Sequence, residues 1–103
     1  MITALVFMTA KSGSEGDWQA LVEQIHASTH AEDEGCISFD VYRQLDAPRE
    51  YVLHEQWRDA DALTGHFERL RRVYGPPANG SQLPAALLDL LEEISARSYQ
   101  VIG

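Results

Sequence analysis

Cysteine is nearly absent from this chain. Cys36 is the only one, so no intramolecular disulfide can form and no cysteine-based metal centre is expected. Basic residues are also scarce: eight lysines and arginines stand against sixteen acidic side chains, a formal charge of −8. Such a surface repels phosphate backbones, so nucleic acid is not an expected partner. Four prolines in a chain that is 45% hydrophobic and 23% charged exclude disordered, collagen-like and low-complexity classes. No apolar run approaches the ~18 residues of a membrane helix. The opening MITALVFMTA has no basic flank and ends at Lys11, which does not match a secretion signal, so a cytoplasmic location is expected. Neither a GxGxxG nor a Walker motif occurs, and no cofactor is expected. At ~100–200 residues per domain, residues 1–103 form one domain.

The residues that are present fall into an ordered pattern. Residues 2–9 are β-branched and aromatic, as in a largely buried strand. After a turn at 11–14, with Ser14 as the helix cap, Trp18, Leu21, Val22, Ile25 and Thr29 recur at helical spacing over 15–31. Gly35 supplies a sharp reversal. Residues 36–45 alternate, with Ile37, Phe39 and Val41 on one face. Residues 50–57 alternate again, with Tyr51, Leu53, Glu55 and Trp57 on one face, so the two runs predict a hairpin. Asp59 caps a helix whose stripe is Leu63, His66, Phe67, Leu70 and Tyr74. A loop at 75–81 leads to a third helical stripe of Leu83, Leu87, Leu90, Leu91 and Ile94, and residues 97–102 close as a strand.

The order β-α-β-β-α-(α)-β is that of an α+β, ferredoxin-like split βαβ fold: an antiparallel sheet with helices on one face. Ile2, Val6 and Met8 alternate with Leu5 and Phe7, so both sheet faces carry apolar residues while the helices can cover one. A homodimer packed face to face, a dimeric α+β barrel, is the expected assembly.

The run Gly35-Cys36-Ile37-Ser38-Phe39-Asp40-Val41-Tyr42-Arg43, followed by Pro48, by Tyr51-Val52-Leu53-His54-Glu55-Gln56-Trp57 and by His66-Phe67, resembles the antibiotic biosynthesis monooxygenase domain. The resemblance spans essentially the whole chain and is nearest in pattern to the quinol monooxygenase group. It implies a dimeric α+β barrel with one pocket per subunit and a cofactor-independent oxidation, by dioxygen, of a quinol-like or polyphenolic small molecule. Two differences stand out. Arg71 occupies a place where members often carry a second histidine, and the 74–83 connection is longer than usual. The asparagine and late histidine used by haem-degrading members have no counterpart.

Such a reaction needs a group to take a phenolic proton, donors to hold the anion and a dry pocket. His66 is the expected base, placed by periodicity on a buried stripe. Trp57, offering an indole N–H for a substrate oxygen, and Glu55, on the same strand face, complete the expected catalytic set; a carboxylate buried there needs either a partner, such as an arginine, or a raised pKa. Phe7, Phe67 and Tyr74 are the expected substrate-binding residues. His26 and His30 have the i, i+4 spacing of a shared metal, but no third ligand is specified and they read as a solvated face, so no metal is expected. Arg69, Arg71 and Arg72 read as a salt-bridged surface. Rival functions on the same scaffold are a non-catalytic small-molecule binder or structural dimer, and a cofactor-free isomerase or lyase acting on a small oxo compound.

Overall fold

The computed structural model describes residues 1–103. Its elements are β1 (Ile2–Ala10), α1 (Glu15–Glu32), β2 (Cys36–Arg43), β3 (Glu50–Trp57), α2 (Ala60–Tyr74), a single helical turn α3 (Ala85–Leu88) and β4 (Leu91–Gln100). The strands form one antiparallel sheet in the order β2-β3-β1-β4, the ferredoxin-like arrangement, with the helices on one face. No helix is long and apolar enough to cross a membrane.

Alternation along β1 divides the sheet into two unequal faces. Ala4, Val6, Met8 and Ala10 are buried beneath the helices, with Phe39, Tyr51, Trp57, Trp18, Ile25 and Leu70 in the same core. Phe7 points the other way and is 53% exposed, opposite Val52 and Ser95 on the flanking strands. Tyr42 and His54 belong to that open face as well, through the register Tyr42↔Val52 and Leu5↔His54.

Three local expectations are corrected. The Leu-rich stretch after Pro84 is not a long helix: α3 ends at Leu88, and β4 begins at Leu91, well before residue 97. A bulge explains the helical look. Thr9 pairs with Glu93 and Ala10 with Leu91, so Glu92 is an extra residue, and Leu91 and Ile94 reach the same side although three positions apart. Arg49 holds this irregularity, donating to Ala10 O and to Glu92 at 3.1 Å each. A second bulge, where Cys36 faces Trp57 and Ser38 faces Gln56, leaves Ile37 over. Ile37 is therefore 52% exposed, not on the face of the buried Phe39. Ser14 precedes α1 but makes no side-chain cap; the Glu15 carboxylate takes up the Gly13 N–H instead. Asp59 does cap α2, accepting from Ala62 N at 2.9 Å.

Gly35 fixes how α2 meets the sheet. Its φ is +85°, and a Cβ there would lie 2.7 Å from the Ala62 Cβ. Only glycine allows both the reversal and the close approach, and that approach brings the C-terminal end of α1 against α2.

Candidate active site

Between the sheet and the helices lies a cavity of about 370 Å³, walled mainly by apolar side chains. The sheet supplies its floor (Val6, Leu53, Ile94), α1 and α2 its sides (Ile25, Phe67), and residues 80–83 with Leu87 and Leu88 a further wall. That last wall is the long connection and short helix of the C-terminal third. It is hung by a Pro77↔Pro84 bridge and by Arg71, whose guanidinium donates to the Gln82 carbonyl at 2.8 Å and its side-chain oxygen at 3.0 Å.

His66 lines this cavity and is 3% exposed. Its ring lies 4.7 Å from Trp57, 5.4 Å from Phe39 and 5.8 Å from Phe67, centroid to centroid. Nδ1 is 2.6 Å from the Asp33 carboxylate. Asp33 in turn accepts from Arg69 Nε at 2.7 Å and from a terminal nitrogen of Arg69 at 2.9 Å, a two-pronged pair. The remaining Arg69 donors reach Ser28 and Thr29 at 3.1 and 3.2 Å.

This network sets the protonation states. For Asp33, burial alone would raise the pKa, but hydrogen bonds and charges from Arg69 and His66 outweigh it and hold the carboxyl below its ordinary value. His66 is pushed down, because burial disfavours the imidazolium more than Asp33 favours it. An ionised carboxylate only accepts, so the proton of the neutral ring sits on Nδ1 and the lone pair on Nε2. Nε2 has no partner in the protein. The result is a neutral imidazole with its base side free, backed by a carboxylate ready to stabilise positive charge.

Glu55 presents the opposite case. It also lines the cavity and is 5% exposed, but its one partner is the Trp57 indole N–H, at 2.7 Å. Burial raises its pKa, against a smaller lowering from that hydrogen bond. The site thus joins a base that resists protonation to a carboxyl group that resists ionisation.

The expected residues are only partly brought together. His66, Glu55 and Phe67 meet at the cavity. Trp57 is fully buried behind it, its N–H committed to Glu55 and not to any ligand. Phe7 lies on the other side of the sheet. Tyr74 is half-buried against the core but outside the cavity lining, its hydroxyl pKa raised by burial. Glu55 pairs with an indole, not an arginine. Arg69 is no surface residue: it is 6% exposed and central to the site. Asp33 and Trp18 were missing from the expectation. Trp18 lines the cavity, and its buried Nε1 has no hydrogen-bond partner. Two signals pointed to the Asp33 pair. His66 and Arg69 stand i, i+3 on α2 and so reach toward one partner, and Asp33 sits in an acidic run at the end of α1, where the helix dipole disfavours negative charge.

The family model for antibiotic biosynthesis monooxygenases matches residues 1–71, which include Asp33, Glu55, His66 and Arg69. The chain belongs to that family. The matched part carries the titratable groups of the site, Asp33, Glu55, His66 and Arg69, while much of the cavity's far wall, with Ser81 and Gln82, comes from the remaining third. Solved structures agree on the fold across the full length. A crystal structure titled antibiotic biosynthesis monooxygenase superposes with a TM-score of 0.80 at 15% identity, covering 100% of both chains. The PA3566 protein of Pseudomonas aeruginosa gives 0.77 at 20% identity over 99% of this chain and 94% of its own. Rv0793 of Mycobacterium tuberculosis gives 0.75 at 21%, over 99% and 95%. At these identities the likeness speaks for the fold. No curated protein is similar enough to match.

Proposed function

We propose that this family member is a cofactor-independent monooxygenase, oxidising a quinol-like or polyphenolic molecule with dioxygen in the cavity at His66. The observation that carries the reading is the neutral His66 imidazole, its Nε2 unpartnered at an apolar cavity and its Nδ1–H held by Asp33. Nε2 removes a phenolic proton, and the imidazolium so formed is stabilised by Asp33. The phenolate passes one electron to dioxygen, and the two radicals join through a new C–O bond to give a peroxide anion, which takes a proton from Glu55 to become the hydroperoxide, Glu55 regaining one from His66. The O–O bond and the C–H bond of the same ring carbon then break, so that carbon becomes a carbonyl and its hydrogen leaves with the outer oxygen as water. In balance, the quinol loses two hydrogens and gains one oxygen, and the second oxygen leaves as water. Trp57 acts as a positioning residue for Glu55, and Phe67 stacks on the substrate.

The same reading includes a homodimer built on the open sheet face, where Phe7, Tyr42 and Tyr99 are each about half exposed. The location we propose is cytoplasmic. The deciding experiment measures dioxygen uptake by the purified protein with a panel of quinols and anthrones and no added cofactor. Uptake with formation of the hydroxylated quinone is expected. Tight binding of the same compounds without uptake would establish a binding protein instead, and turnover without dioxygen an isomerase or lyase. Light scattering should give twice the chain mass of 11.5 kDa.

A further inference from the structure

On the flank of the molecule away from the His66 cavity, α1 and the edge strand β2 bring together three side chains of a different chemistry. His26 and His30 lie one helical turn apart with ring centroids 4.6 Å apart. Asp40 of β2 joins them, and one donor atom from each of the three lies within 4.8 Å of the others. We propose that His26, His30 and Asp40 bind a divalent first-row transition metal of the zinc class.

The donor set fits that ion. Two imidazoles and one carboxylate suit zinc and its neighbours, whereas calcium and magnesium want oxygen donors only. The second shell also fits. His30 Nε2 lies 3.3 Å from the Phe39 carbonyl, which can only accept, so this nitrogen is the donor and Nδ1 is left with a lone pair. Histidines that ligate metals usually donate their other N–H to such a carbonyl, which fixes tautomer and ring orientation. The carbonyl is available because β2 is an edge strand, paired only with β3.

The surroundings leave room for an outer ligand. His26 and Asp40 border a second cavity of about 470 Å³, between α1 and β2, with Glu23 beside it. The Tyr51 hydroxyl at the same cavity is buried without a hydrogen-bond partner. Arg43, a cation on that wall, has one guanidinium nitrogen donating to Gln19 at 3.4 Å. A site with three protein ligands and an open fourth position toward such a space is the arrangement that keeps a water or an exchangeable ligand on the metal. The overall charge of −8 favours any cation. The site is independent of the oxidation proposed at His66.

The test is zinc titration of the whole protein by calorimetry, with cobalt(II) absorption as a second readout. One equivalent per chain is expected, with visible cobalt bands from a site of low coordination number. His26→Ala, His30→Ala and Asp40→Asn should each weaken binding at least ~10-fold, while Asp89→Asn, at the opposite edge of the sheet, binds as wild type. All four positions lie at least partly open to solvent, and circular dichroism checks that each variant is folded. Absence of saturable binding would overturn the proposal. So would undiminished binding by any one of the three ligand variants, or loss of binding in Asp89→Asn.

Discussion

Two carboxyl groups meet the site from different places, Glu55 in the cavity wall and Asp33 behind the His66 ring, and they are pushed in opposite directions. Asp33 meets Arg69 and His66 through three short contacts and stays ionised. Glu55, the more deeply buried of the two, meets one indole N–H and is driven toward the neutral acid. Burial raises both groups, and the comparison teaches that the number and charge of the donors decide whether it wins. In the mechanism proposed above, one carboxylate supports a cation on His66 while the other keeps a proton to give.

The largest effect expected from breaking this contrast is on rate. His66→Ala removes the base, and dioxygen uptake should fall ~10²–10⁴-fold while the fold persists. Turnover and melting temperature measured on one sample separate this from simple unfolding; a folded variant oxidising at wild-type rate would remove His66 from the mechanism.

Next comes Arg69→Leu, which strands Asp33 as a buried charge with only the imidazole beside it. The guanidinium side chain is 7% exposed, so solvent cannot take its place. Loss of about 3–5 kcal/mol of stability is expected, read from the urea midpoint. A loss below about 1 kcal/mol would mean that Arg69 behaves as a surface residue.

Glu55→Gln should be far milder, under about 1 kcal/mol, because the amide oxygen still accepts from Trp57 and burial already disfavours the charge that is removed. Its rate should nevertheless drop, since an amide cannot release the proton. Destabilisation as large as that of Arg69→Leu would show that Glu55 is ionised in the native state.

The smallest effect, and the sharpest, is in the pH dependence of stability. His66 titrates lower in the folded state than its ordinary 6.5, so below 6.5 the unfolded chain takes up the proton first and stability falls with acid. Asp33 adds a further loss as pH falls through 3.8 toward its lowered value. Glu55 has the reverse sign. Its folded value lies above 4.5, so its contribution is present below 4.5 and is lost as pH rises through the raised value. The two slopes oppose each other between 4.5 and 6.5 and flatten the curve there. In Glu55→Gln only the His66 slope survives, and urea midpoints should rise more steeply with pH across that window; an unchanged profile would refute the raised Glu55 value.

Most of the scaffold was legible in the sequence because it is written in periodicity. The Tyr51–Trp57 alternation and the Leu63–Tyr74 stripe translate directly into faces, and they put His66 and Glu55 on the side of the sheet where the cavity lies. What escaped was everything produced by an irregularity or by long-range pairing. Glu92 and Ile37 are single extra residues opposite a partner strand, and nothing in their own neighbourhood marks them as bulged. Asp33 and Arg69 are 36 positions apart and meet only after Gly35 lets α1 and α2 close up. Arg69, read alone among neighbouring arginines, looks like a surface charge. Trp57 pointed the right way, but its N–H was already taken by a residue two positions earlier on the same strand.

The wall of residues 80–88 hangs from a proline bridge and one arginine, outside the stretch that carries the family pattern. Insertions or deletions there would reshape the space offered to a ligand without displacing Asp33, His66 or Glu55. The shape of the cavity and the placement of its titratable groups are thus set by separate stretches of chain, so one can be altered in the laboratory without disturbing the other.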